Sequence, residues 1–127
     1  MSKRILSVSY DQALLATRKM LLEHRGYNVT SALGFSDAVE QCQNSDFDLF
    51  ILGHSIPEKD KLNLIKTFQG NCPAPIVSLE RMGEKQVSCD FHASPDDPAK
   101  FIQVVDDILA GRQQRSAQRR ATSLYPD

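Results

Sequence analysis

Short β-favouring runs alternate along this chain with segments whose apolar residues recur at helical spacing. Ile5 to Val8 predicts a first strand. Ser9-Tyr10-Asp11 is the turn after it, with Asp11 the N-cap of a helix over Gln12 to Arg25. On that helix Leu14, Thr17 and Leu21 stack on one face, and Leu15 and Leu22 widen it. Gly26 supplies the left-handed residue that ends such a helix. Tyr27 to Ser31 predicts a second strand, and Ser36 caps a short helix over Asp37 to Gln43. Leu49 to Leu52 is apolar at every position, as suits a central parallel strand buried on both faces. After Pro57, the run Glu58-Lys59-Asp60-Lys61 reads as a charged, solvated loop before a helix from Leu62 to Phe68. Pro75 to Leu79 and Cys89 to Ala93 predict two further strands. Asp97 then caps a last helix with Pro98 in its first turn and Phe101, Val104, Val105, Ile108 and Leu109 on its apolar face. Strand and helix alternate throughout, so the fold class is α/β with a parallel sheet.

Composition adds a few limits. A chain of 127 residues has room for one domain with a proper core. The net charge of -1 argues against a protein built chiefly to hold nucleic acid. From Gly111 onward the balance is +3, so residues 111–127 read as a basic extension, helical or frayed, behind a domain over residues 1–110. Cys42, Cys72 and Cys89 have no metal-type spacing and read as free thiols of a reducing compartment. No signal-peptide core and no membrane-length apolar run is present, so the expected location is the cytoplasm.

The chemistry concentrates after the central strand. Gly53 stands at its carboxyl end, where open α/β sheets place ligands or catalytic groups. Gly53-His54-Ser55 invites a nucleophile-elbow reading, but Pro57 replaces the second glycine, and a loop serine fits better. His24, His54 and His92 have no ligand-type spacing. No catalytic residue, metal site or cofactor is therefore assigned from the residues themselves.

The order and spacing of several pieces resemble a CheY-like response-regulator receiver domain over Lys3 to Ala110. They are Arg4-Ile5-Leu6-Ser7-Val8, Arg25-Gly26-Tyr27-Asn28-Val29, Ala32-Leu33-Gly34, Asp48-Leu49-Phe50-Ile51-Leu52 with Pro57, and Ser94-Pro95-Asp96-Asp97-Pro98. The resemblance implies a doubly wound, five-stranded parallel sheet of flavodoxin-like order 2-1-3-4-5. It also implies phosphotransfer to an aspartate, with a Mg²⁺ on oxygen ligands and a hydroxyl and a lysine for the phosphoryl oxygens. At the matching positions this chain has Ser9 and Tyr10 for the two metal-binding acids, and Gly53 for the phosphoacceptor. Glu80 replaces the hydroxyl residue and Ser94 the lysine. Asp11 lies one residue past the acid pair.

The resemblance thus implies a degenerate pseudo-receiver whose phosphorylation pocket has been dismantled, with Tyr10 expected to fill the vacated space. Only nine residues, Glu80 to Ser88, separate the fourth and fifth strands, so the fourth helix is expected to be shortened or missing. The implied partner is a signalling protein, either a histidine kinase or an output protein of a two-component pathway, or a second copy of the chain. Phe91, Arg112 and Arg115 are candidates for the partner face. Two other functions stay open: a small-ligand module using Ser9, Tyr10, Glu80 and Ser94, and a small enzyme or phosphotransfer protein using His54 or Ser55.

Overall fold

The structure, a computed structural model, describes residues 2–111, and nine elements alternate along them. These are β1 (Arg4–Ser9), α1 (Gln12–His24), β2 (Asn28–Leu33), α2 (Phe35–Asn44), β3 (Leu49–Leu52), α3 (Glu58–Asn71), β4 (Ile76–Leu79), β5 (Phe91–Ala93) and α4 (Pro98–Leu109). The strands form one sheet in the order β2-β1-β3-β4-β5, and every pairing is parallel. This is the order the resemblance implied. Ile5 stands beside both Val29 and Leu49, and Val77 stands beside Phe91.

Strand side chains alternate between faces, so the buried strands β1, β3 and β4 feed two cores. On one face Leu6, Val8, Phe50, Leu52 and Ile76 pack with Ala38 and Cys42 of α2 and Leu64, Ile65 and Phe68 of α3. On the other, Ile5, Leu49, Ile51, Val77, Leu79 and Phe91 pack with Leu22 of α1 and Phe101, Val105 and Ile108 of α4. Phe50 and Phe68 stack with ring centroids 4.3 Å apart, fixing α3 against the middle of the sheet.

Side-chain caps explain where two helices begin. Asp11 accepts from the amides of Ala13 and Leu14, and Asp97 accepts from Lys100 N. The start of α2 differs from the expected one. Gly34 at φ 95° is its N-cap and Ser36 lies inside the first turn, because the positive-φ glycine turns the chain before the serine is reached. The start of α3 also differs. Glu58 to Lys61 is its first turn rather than a solvated loop, with the Lys61 amide donating to Pro57 O at 2.9 Å. Glu58 and Asp60 there complement the positive end of the helix dipole.

Between β4 and β5 the chain forms no helix. Residues 80–90 carry a turn in which Glu84 N donates to Arg81 O, with Gly83 at φ 89°. Of this segment, Val87 enters the core beside α3. The fourth helix of the resemblance is therefore missing, and the described residues contain four helices. Arg112, Arg115 and the rest of the basic extension lie outside the described residues.

Candidate functional site

In a parallel sheet all strands deliver their carboxyl ends to one edge, and Ser9, Tyr10, Gly53, Glu80 and Ser94, the five positions matched by the resemblance, stand along it. They do not share one pocket. Glu80 and Ser94 line an open cleft of about 420 Å³ with Arg81, Met82, Glu84 and His92, and Ser9 and Tyr10 are not part of it. Ser94 is exposed, its hydroxyl accepting from Asp96 N at 3.1 Å.

Ser9 is buried at the end of β1, with its hydroxyl 3.2 Å from that of Ser55. It also accepts from Asp11 N, while Ser55 Oγ accepts from Tyr10 N. Ser55 therefore braces the β1–α1 turn, and its hydrogen bonds involve neither a histidine nor a carboxylate. Tyr10 turns away from Gly53 toward α3, where its hydroxyl donates to Asp60 at 2.7 Å. Burial first, and then the bond and charge of Asp60, push the phenol up to about 12.

The side chain that stands over Gly53 is Arg18. A Cβ at residue 53 would sit 2.8 Å from Arg18 Nη1 and 3.1 Å from Val8 O. Gly53 is not in a left-handed conformation, so the neighbours, and not its own backbone, call for a glycine here. Arg18 is only 6% exposed, and its Nη1 has no hydrogen-bond partner among the described residues. Burial lowers its pKa, with Asp11 acting in the opposite direction. The core-facing residues of α1 are Leu15, Arg18 and Leu22, so the buried stripe is rotated from the Leu14, Thr17 and Leu21 face expected from sequence. Arg18 is three residues after Leu15 and four before Leu22. That spacing was the signal that could have revealed it.

A second cation fills the other side of the edge. Lys61 is 4% exposed and reaches from the first turn of α3 to the end of β4. Its ammonium donates to Ser78 Oγ and Leu79 O, both at 2.9 Å, and stands 3.7 Å from Glu80 Oε2. Ser78 Oγ donates to that same carboxylate oxygen at 2.5 Å, and His92 Nδ1 lies 3.0 Å from the other. Burial lowers the Lys61 pKa, and Glu80 is the first of the groups opposing that shift. Glu80 is thus the anchor of a buried network at the carboxyl end of β4. Lys61 falls three and four residues before Leu64 and Ile65, again on a buried stripe.

His54 is half-buried, and its Nε2 has no partner among the described residues. Burial, followed by the charge of Arg81, lowers its pKa. Phe91 is 6% exposed and belongs to the core beside α4, so it is not part of a contact surface. The phenyl ring points inward because β5 alternates and its neighbour His92 takes the opposite face. Among the described residues no group of three or more His, Cys, Asp or Glu is placed to hold a metal, and no helix is long and apolar enough to cross a membrane.

No protein-family model matches the chain. Over 71 residues, 56% of its length, it is 32% identical to Transcriptional regulatory protein CrdR of Helicobacter pylori, and the match spans 33% of that relative. The solved CheY-like receiver domain of Methanospirillum hungatei superposes with a TM-score of 0.75 at 22% identity, covering 88% of this chain and 97% of that one. A two-component response regulator from Clostridium difficile gives 0.75 at 19%, over 87% and 98%. The receiver domain of sensor histidine kinase PA1611 from Pseudomonas aeruginosa, solved with a magnesium ion coordinated in its active site cleft, gives 0.74 at 16%, over 87% and 99%. The fold is that of CheY-like receiver domains.

Proposed function

We propose that this chain is a degenerate receiver, a signalling module that engages a protein partner without phosphotransfer. The observation that carries this reading is Arg18 over Gly53. Phosphotransfer needs a carboxylate nucleophile at that position and oxygen ligands for Mg²⁺ at the end of β1. Ser9 and Tyr10 offer hydroxyls engaged with Ser55 and Asp60, and the carboxylate next in sequence, Asp11, is engaged in capping α1. A buried guanidinium beside residue 53 repels a divalent cation. These residues do not fit Mg²⁺.

The rest of the edge supports the same reading. The position of the hydroxyl switch carries Glu80, held by Lys61 and His92, and an incoming phosphoryl group would meet that carboxylate. With acceptor, metal ligands and switch all replaced, the edge has one arrangement that a phosphate does not bias, and the module works through the surface it presents. The partner this implies is a histidine kinase or an output protein of a two-component pathway, or a second copy of the chain. Incubation with acetyl phosphate or beryllofluoride and Mg²⁺ is expected to leave the intact mass and the spectrum of the protein unchanged. A stable phosphoryl adduct on any residue overturns the reading.

A further inference from the structure

Cys89, His92 and Glu80 form a cluster that the proposed function does not use. Glu80 directly follows β4, and Cys89 and His92 lie just before and within β5. His92 Nδ1 is 3.0 Å from Glu80 Oε1, and that carboxylate is itself fixed by Ser78 and Lys61. An ionised carboxylate only accepts, so the proton of the neutral ring is on Nδ1 and Nε2 keeps a free lone pair. Cys89 Sγ stands 4.0 Å from that nitrogen. The separation is too long for a strong hydrogen bond, and the thiol donates to Phe91 O at 3.2 Å. The His92 side chain is 26% exposed and lines the open cleft with Met82, and Cys89 beside it is half-buried.

Two chemistries suit a thiol beside an oriented imidazole. A nucleophile needs a lowered thiol pKa, whereas burial pushes Cys89 up to about 11. A metal ion, in contrast, deprotonates a coordinating thiol outright. Metal–thiolate and metal–imidazole bonds are about 2.3 and about 2.0 Å long, so donors 4.0 Å apart meet an ion at an angle wider than tetrahedral. Zn²⁺ takes four tetrahedral ligands, and no group of three His, Cys, Asp or Glu is placed to hold a metal among the described residues. Cu(I) is soft, is satisfied by two donors, and cancels the charge of one thiolate. A divalent ion would leave a positive charge near the buried Lys61 ammonium, and Cu(I) leaves none.

We propose that Cys89 Sγ and His92 Nε2 form a two-coordinate Cu(I) site, with Glu80 a positioning residue on the far side of the imidazole. Binding exchanges the thiol proton for the ion. The S–H bond breaks, S–Cu and N–Cu bonds form, and the proton leaves to solvent with no change of oxidation state. A carboxylate behind a ligating histidine is the usual device for fixing its tautomer and orientation. The bound ion would tie the end of β4 to β5 through Glu80, His92 and Cys89. The exposed Met82 thioether on the same cleft is a soft group for delivery of the ion. The site stands whether or not the chain accepts phosphate.

The test is an anaerobic titration of the reduced full chain with Cu(I) in competition with bicinchoninate, followed by X-ray absorption of the loaded protein. The expected result is one Cu(I) retained per chain, with one sulfur and one nitrogen neighbour. Cys89→Ser and His92→Phe should each lose that equivalent; amide dispersion reports that each variant is folded. Glu80→Gln should keep the stoichiometry and weaken binding by about 10–100-fold. An excess of Zn²⁺ should not displace the ion. Retention of the equivalent in either Cys89→Ser or His92→Phe overturns the proposal, as do two sulfur neighbours per copper, displacement by Zn²⁺, or no binding at all. Unchanged affinity in Glu80→Gln removes the positioning role.

Discussion

Two buried cations sit at the carboxyl edge of this sheet, and they are treated in opposite ways. Lys61 has Ser78 Oγ, Leu79 O and Glu80 around its ammonium, with His92 completing the coordination of the carboxylate. Arg18, on the opposite face, presses Nη1 against Gly53 and offers it to no acceptor among the described residues. The first arrangement is a closed polar network, which rigidifies the end of β4. The second is an open valence in the core. The difference separates a buried cation with a full set of partners from one packed against the chain whose Nη1 has no acceptor among the described residues.

The largest effect should come from opening the closed network. Glu80→Ala leaves Lys61 buried without its counter-charge and is expected to cost about 3–5 kcal/mol in urea denaturation. The double variant Lys61→Met/Glu80→Gln should recover most of that loss, since a buried pair replaced as a unit is often neutral. If the single and the double variant are equally unstable, the network is not closed in the way described.

Next in size is Gly53→Ala. Its Cβ meets Arg18 Nη1 and Val8 O below normal contact distance, and the expected cost is about 1–3 kcal/mol. Arg18→Met should act with the opposite sign to any single change in the Lys61 network. It removes an unpaired buried charge and keeps an apolar stem, so a gain of about 1 kcal/mol is expected from the urea midpoint. A loss of stability comparable to that of Glu80→Ala would erase the contrast between the two cations.

The smallest effect concerns Tyr10, which links the β1 end to α3. Its phenol is raised from 10.0 to about 12, so the folded state holds this proton more tightly than the unfolded one. The associated stability is fully present below about pH 10 and is lost as pH rises toward 12. With its part-exposed ring screened by solvent, the loss should be about 1 kcal/mol. Tyr10→Phe should remove that slope from stability measured against pH. An unchanged slope would mean that Tyr10 is not the group responsible for it.

Much of the fold was legible in local pattern. The consecutive apolar runs gave β3 and β4, and Asp11, Gly26 and Asp97 marked helix boundaries where the structure has them. The short spacing between Leu79 and Cys89 already implied a fourth helix that is shortened or missing, and the structure has none there. The carboxyl edge was legible only as departures from the resemblance at Ser9, Tyr10, Gly53, Glu80 and Ser94. The contacts of Arg18 and Lys61 were not legible, because they act across 35 and 17 positions of sequence on Gly53 and Ser78. Charged residues at stripe positions read as the boundary of an apolar face, and four charged residues in a row read as a loop. The stripe spacing of Arg18 and Lys61 hinted at burial, but which atoms each would meet came only with the packing. Phe91 was misread for the converse reason: a match to a reporter position says nothing about the burial that β5 imposes on it.

Arg18 Nη1 takes up the space that a side chain at residue 53 would need. A double-mutant cycle of Gly53→Ala with Arg18→Met tests it most directly, because the methionine stem is too short to reach residue 53. The account predicts that the cost of Gly53→Ala falls by about 1–2 kcal/mol in the Arg18→Met background. Additive effects within about 0.5 kcal/mol would contradict it, since the two positions would then not be in contact.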